Sequence, residues 1–410
     1  MNNKGGNAVK LIGLFLLMVS ALFLVGCLKP VSLEDHGYVI SVGVDKGVER
    51  KYYITLMLQR ESSGQNSSVS EGGAIVLASE GNDIFEAVAE MESNIPYILN
   101  FSRTNFLFFG SEAARVGMIA EFLDTPLDML RIRASAIVIV TEGSVSDFVG
   151  GLAANNDANI TKLQTAILLD RQKTGMVSVA SVSRLYEAAR EGRFDFCAAL
   201  GAYDESIITD MGQKKSEGEG EDPISDAEPG DRIGGLKSHI TGSALFNGWI
   251  MTDTLDRHET MLLNMVTGEF ESGSFAYSTE QGENVFMLLQ ADKSAISFKG
   301  FNENGAPCFE VDISLYAGVH QPTEIMTDDE IMEWLSGPVA SDIEQELCAL
   351  LEKCKAAGSD AMRFGTVISK LFKRAAEWEA FDWRSRYGDI EVRFNVALHA
   401  VDKYSAEGLQ

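Results

Sequence analysis

Positive charge is scarce in this chain. Its 410 residues carry 34 Lys and Arg against 60 Asp and Glu, a formal charge of −26. Nucleic acid and anionic lipid headgroups both attract basic surfaces, so the balance excludes DNA and RNA as partners, and overall charge cannot hold the protein on a membrane. Catalytic signatures are missing as well. The sequence has no G-x-S-x-G elbow, no G-x-x-x-x-G-K-[ST] phosphate loop and no dinucleotide-binding G-x-G-x-x-G. The five histidines (His36, His239, His258, His320, His399) are scattered. His258-Glu259 lacks the second histidine that would set two zinc ligands on one helical face. Asp328, Asp329 and Glu330 read as the acidic first turn of a helix, where they complement its dipole. The sequence therefore assigns no catalytic residue, no metal ligand and no cofactor.

Cysteine is also sparse. Besides Cys27 there are Cys197, Cys308, Cys348 and Cys354. A chain this long needs no covalent staples to fold. Cys348 and Cys354 lie on different faces of one expected helix, about 9 Å apart along its axis, too far for a bridge. Free, buried thiols are expected.

What is present begins at the N-terminus. Lys4 and Lys10 form a basic stretch, residues 11–25 are an uncharged apolar run, and Leu24-Val25-Gly26-Cys27 closes it. A small residue directly before cysteine at the end of such a run is the pattern of a bacterial lipobox. The apolar core of 15 residues is shorter than the roughly 20 needed to span a bilayer. Residues 1–26 are therefore expected to be a cleaved lipoprotein signal peptide, and Cys27 the lipid-attachment site. Cleavage removes two lysines and no acid, so the charge becomes −28 over 384 residues. Attachment then falls to the lipid, at roughly 0.8 kcal/mol per buried methylene.

Residues 216–231, SEGEGEDPISDAEPGD, hold seven acids, no base and a single Ile. Such a segment cannot bury enough apolar surface to offset its ordering entropy. It predicts an acidic flexible linker over 210–235 between an N-terminal α/β region (27–209, of one or two lobes) and a C-terminal α+β domain (236–410). Strands are expected at Tyr38–Val44 and Tyr52–Leu58, joined by a turn at Gly47, then at Ala74–Ala78, Asn105–Phe109, Ala134–Thr141 and Phe194–Ala202. Helices are expected at Ile84–Met91, in pieces over 112–130, and twice in 157–190. Beyond the linker, His239–Thr254 reads as one bent strand, followed by a helix over 256–266 and strands near 285–290, 294–300 and 308–317. Ile343 to Cys354 and Met362 to Trp378 each trace one apolar helix face, and Ile390–Val401 closes as a strand. Trp378, Phe381 and Trp383 read as core, and Gly43-Val44-Asp45 as a backbone turn.

These pieces, in this order, resemble the Ger(x)C family of spore germination lipoproteins. The resemblance rests on Cys27 followed 16 residues later by Gly43-Val44-Asp45-Lys46, then on Asn105-Phe-Leu-Phe-Phe-Gly110 with its following helix. It continues through Asp128–Arg131 and Arg133, Gly242-Ser-Ala-Leu-Phe-Asn247, Asp360–Phe364, and the Trp378 and Trp383 pair. Leu28-Lys29 depart from the family pattern directly after the cysteine. The resemblance implies a mixed α+β protein of three sheet-plus-helix lobes. It implies a non-catalytic C subunit of a nutrient germinant receptor, partnered by integral-membrane A and B subunits on the outer face of the spore inner membrane. The alternative reading is an extracytoplasmic solute-binding lipoprotein of a transporter.

Overall fold

Apolar residues alternate or run together in the segments that become strands, and the difference sorts them into two sheets. The computed structural model describes residue 13 and residues 36–59, 74–124, 129–154, 173–206, 237–278, 284–320 and 327–401. Cys27 and the acidic run 210–235 lie outside the described residues, as do the helical expectations over 157–172. Met1–His36 is separate from the unit Gly37–Gln410, which contains everything below.

The strands are β1 (His36–Lys46), β2 (Tyr52–Gln59), β3 (Ala74–Gly81), β4 (Ile98–Asn100), β5 (Phe106–Gly110), β6 (Ile137–Glu142), β7 (Ala180–Ser181), β8 (Cys197–Tyr203), β9 (Ser238–Asn247) and β10 (Ile250–Asp256). Together they form a ten-stranded mixed sheet with the order β10-β9-β8-β6-β5-β1-β2-β3, β4 pairing with β1 and β7 with β6. β1, β5, β6 and β8 run parallel through its centre. A second, four-stranded sheet has the order β11 (Ser272–Ser278), β12 (Asn284–Phe301), β13 (Pro307–His320) and β14 (Glu391–Ala400). The fold is mixed α+β.

Eleven α-helices among the described residues cover these sheets. α1 (Ile84–Glu92), α2 (Ser111–Arg115), α3 (Met118–Leu123) and α5 (Val182–Glu191) bury Met91, Ile119, Phe122 and Leu185 on one face of the large sheet. α4 (Val145–Ala154) covers the other face with Val145, Phe148, Val149 and Leu152. Over the small sheet lie α6 (Arg257–Thr267), α7 (Asp328–Trp334), α8 (Ala340–Ala356), α9 (Phe364–Ile368), α10 (Ala375–Phe381) and α11 (Trp383–Tyr387). The described residues thus hold three apolar cores on two sheets.

β9 ties the cores together. Successive side chains of a strand point to opposite faces, so Ala244 and Phe246 enter one core while Leu245 enters the core of the small sheet. β9 pairs antiparallel with β8, so the sheet begun before residues 210–235 is completed by strands that follow them.

Three local expectations change. His239–Thr254 is a hairpin rather than a bent strand: Asn247 pairs with Ile250 across Gly248, which adopts φ +60°, as a two-residue turn with glycine first allows. The strands near 285–290 and 294–300 are one strand, β12, whose register shifts between Ala291 and Lys293. The apolar run Met362 to Trp378 is broken into α9, a 3-10 turn at Ser369–Leu371 and α10.

Candidate functional site

The polar groups of most interest are buried carboxylates where the two sheets meet. Asp195 stands just before β8, and its side chain is 5 % exposed. Its carboxylate accepts hydrogen bonds from the Gly248 N–H at 2.7 Å, the Asp360 N–H at 3.0 Å and Arg384 Nη2 at 2.8 Å. Its own N–H donates to the Asp360 carbonyl at 3.1 Å. Asp360 is buried and accepts from the Phe364 N–H at 2.9 Å, the Gly365 N–H at 2.7 Å and Trp383 Nε1 at 2.9 Å. Arg384 also donates to Asn247 Oδ1. Burial pushes the Asp360 carboxyl up to about 8, while the three N–H donors pull it down and the neighbouring Asp195 pushes it further up. One layer away, Glu269 accepts from Arg184 at 2.7 Å and from Arg363.

Each participant is held by its local structure. Gly248 turns the β9–β10 hairpin. Gly365 has no side chain because a Cβ there would strike the Arg193 carbonyl and the Trp383 indole. Arg363 sits in the left-handed region at φ +70°, at the entry to α9, an uncommon conformation for a non-glycine residue that the surrounding contacts must sustain.

A second carboxylate, Asp45, ends β1. It accepts from the Val145 N–H at 2.9 Å and so caps α4. A Cβ on Gly110 would meet its carboxylate, and one on Gly43 would meet Val145. Burial raises Asp45 to about 6; the N–H groups of Val145 and Ser146 lower it, and Asp147 and Glu112 raise it.

The oxygens of Asp195 and Asp360 are occupied by N–H donors, an arrangement that holds the surrounding segments in place. Among the described residues no group of three or more His, Cys, Asp or Glu is placed to hold a metal ion. His258 pairs with Glu346 at 2.9 Å, and Glu259 closes a capping box with Asp256 and binds Lys353 at 2.7 Å. Glu330 closes a capping box with Thr327 at the start of α7.

The other singled-out residues separate. Cys197, Cys308, Cys348 and Cys354 are unpaired; only Cys354 is buried, and Cys348 is exposed. The thiols of Cys197 and Cys354 are pushed up by burial, Cys197 to about 11. Trp383 is core at 4 % exposure, whereas Trp378 and Phe381 are half-buried against it and α10 has no buried residue. Asp195 is the residue that sequence reasoning missed, because its partners lie 53 to 189 positions away. No local spacing marks it.

Two family models match the chain. "Spore germination protein N-terminal domain" covers residues 29–200, and "Spore germination B3/GerAC like, C-terminal" covers residues 241–402. Gly43, Asp45 and Gly110 fall in the first match; Asn247, Asp360 and Trp383 fall in the second. No curated protein matches the sequence. A solved structure described as the crystal structure of the GerBC protein matches with a TM-score of 0.53 at 13 % identity, over 88 % of this chain and 97 % of that one. At that identity the likeness concerns the fold.

Proposed function

The chain belongs to the Ger(x)C family of spore germination proteins, and from that premise we propose that it is the lipid-anchored, non-catalytic C subunit of a nutrient germinant receptor. The observation that carries the reading is the pair of family matches, in order, over residues 29–200 and 241–402. Neither match describes an enzyme. Three features support it. Of the residues quoted for the resemblance, Gly43, Asp45 and Gly110 meet at the Asp45 cap, and Asn247, Asp360, Phe364 and Trp383 meet at the Asp195–Asp360 joint, where they hold strands and helices in place. No helix among the described residues is long and apolar enough to cross a membrane. Residues 11–27 carry the lipobox pattern.

In this reading Cys27 receives the lipid after residues 1–26 are removed. The anchor keeps an acidic domain beside integral-membrane A and B subunits, on the outer face of the spore inner membrane, and raises its effective concentration there. Cys27→Ala tests the reading. The variant is expected to leave salt-washed membranes and to impair germination in response to nutrients. Normal germination, with the variant retained in salt-washed membranes at normal level, would count decisively against it.

A further inference from the structure

The chain is acidic as a whole, yet cations gather in one place. Beside the Asp195–Asp360 joint, a cleft of about 610 Å³ opens between the end of α5 and the segment 369–384. Five cations, Arg190, Arg193, Lys373, Arg374 and Arg384, line it with three acids, Glu191, Glu379 and Asp382. Arg193 pairs with Glu191 and Arg384 with Asp195. Lys370 and Arg386 flank the cleft in sequence, so the surplus of positive charge sits on Arg190 and the 370–374 loop. Arg190, Lys370, Lys373 and Arg374 are exposed and form no ion pair with a described residue.

Apolar side chains stand among these cations. Leu371 is 55 % exposed and Phe301 50 %. Phe372, Trp378 and Phe381 are half-buried, and Phe301 packs edge-on against Phe381. Lys and Arg interleaved with Trp, Phe and Leu is the composition that settles at a bilayer interface: rings enter the headgroup boundary and cations meet the phosphates.

Sheet register says which end of the molecule carries this patch. Ser41 pairs with Phe106, and Phe106 with Ile137; Ile139 pairs with Ala199, which brings Cys197 into the same row. β1 and β8 therefore enter the sheet from one end. Arg193, just before β8, lies at the end where the chain enters β1 at Gly37. The two strands are three places apart in the sheet, about 14 Å at the usual spacing. The ten residues from Cys27 to Gly37 reach at most about 33 Å. A lipid on Cys27 is thus tethered to the end of the large sheet at which the cationic cleft opens.

We propose that this patch is a membrane-contact surface, with the 370–374 loop, Trp378 and Phe381 seated in the headgroup region of an anionic bilayer. For its placement it rests on the lipid-anchor reading; its chemistry stands on the patch. The anchor fixes distance and the patch fixes orientation, turning the rest of the acidic surface away from the lipid.

The test uses the chain from Leu28 onward, without the anchor, because Gly37–Gln410 is a compact unit apart from the residues before it. It is sedimented with vesicles of phosphatidylcholine mixed with phosphatidylglycerol, and with vesicles of phosphatidylcholine alone. Binding is expected to the anionic vesicles, weakened on the order of 100-fold by the combined variant Lys370→Glu, Lys373→Glu, Arg374→Glu. Leu371→Asp, at an exposed position, is expected to weaken binding with an unchanged circular dichroism spectrum. Equal sedimentation of wild type and the charge variant overturns the proposal. So does the absence of binding to either vesicle, which is the outcome if a protein subunit covers the patch. Failure of the anchor reading shows separately, as full-length Cys27→Ala protein that stays in membranes after a salt wash.

Discussion

The large sheet is apolar on both faces, whereas the small sheet covers one face and leaves the other to water. β5, Phe-Leu-Phe-Phe-Gly, is buried at every position, as central parallel strands with helices on both sides require. Along β12 and β13 the pattern alternates, and Phe286, Leu288 and Tyr316 are 51, 36 and 41 % exposed. The centre of the first sheet is a frame covered on both faces. The second offers surface, and the boundary between them is held by ionisable groups rather than by packing alone. Carboxylates that accept several N–H donors fix a geometry that apolar contact would leave free to slide.

The joint is where that contrast is easiest to break. Asp195→Ala removes the acceptor of three donors and leaves buried N–H groups unpaired, with an expected cost of about 3–5 kcal/mol. Urea denaturation followed by tryptophan fluorescence and by circular dichroism checks it; a midpoint equal to wild type would show that the sheets are held by apolar packing. By contrast, Lys299→Ala, which removes an exposed pair with Glu310 on the small sheet, is expected to leave the midpoint unchanged.

A smaller effect separates two neighbouring tryptophans. Trp383→Phe keeps most of the ring but deletes the indole donor to the buried Asp360, at an expected cost of about 2 kcal/mol. Trp378→Phe alters a half-buried ring that makes no hydrogen bond to Asp195 or Asp360, and less than about 0.5 kcal/mol is expected. Gly365→Ala belongs with the first: its Cβ would meet a backbone carbonyl that cannot move aside, at about 2 kcal/mol. Equal midpoints for the two tryptophan variants would dissolve the distinction between frame and surface.

The same distinction explains what the sequence made legible. Short-range patterns located strands and helices: the apolar face from Ile343 to Cys354 is the buried face of α8, and Asn105–Phe109 is β5 displaced by one residue. They mislead at local breaks. Asp292 and Lys293 looked like a strand end and are a register shift inside β12. The bend expected between Trp249 and Ile250 is a hairpin turn, with Asn247 paired to Ile250. The composition break at 210–235 gave no hint that β8 and β9 pair across it. The joint stayed hidden for another reason. Asp195, Asp360 and Trp383 approach one another only after both sheets exist, and a single sequence records no partner 165 positions away.

A slope with pH tests the cap of α4, away from the joint. Asp45 is raised by burial from 3.8 to about 6 in the folded protein, so the folded state binds its proton more tightly than the unfolded chain. Between about pH 4 and 6, folding takes up a proton at this site. Raising the pH through that window therefore lowers stability on account of Asp45, by up to about 1.4 kcal/mol per unit. Below pH 4 and well above 6 the contribution is flat. Asp360, raised to about 8, acts in the same sense, whereas Glu330, held below its ordinary value by the Thr327 N–H and hydroxyl, favours the folded state as pH rises through the carboxylate range. The slope must accordingly be read as a difference. Asp45→Asn keeps an acceptor for Val145 without the charge, so wild type minus variant isolates the site. Wild type is expected to lose stability relative to Asp45→Asn from pH 4 to 6 and to run parallel to it above about 7. Curves parallel across the whole range would mean that water reaches Asp45, and that β1 and α4 are held by the close contact at Gly43 alone.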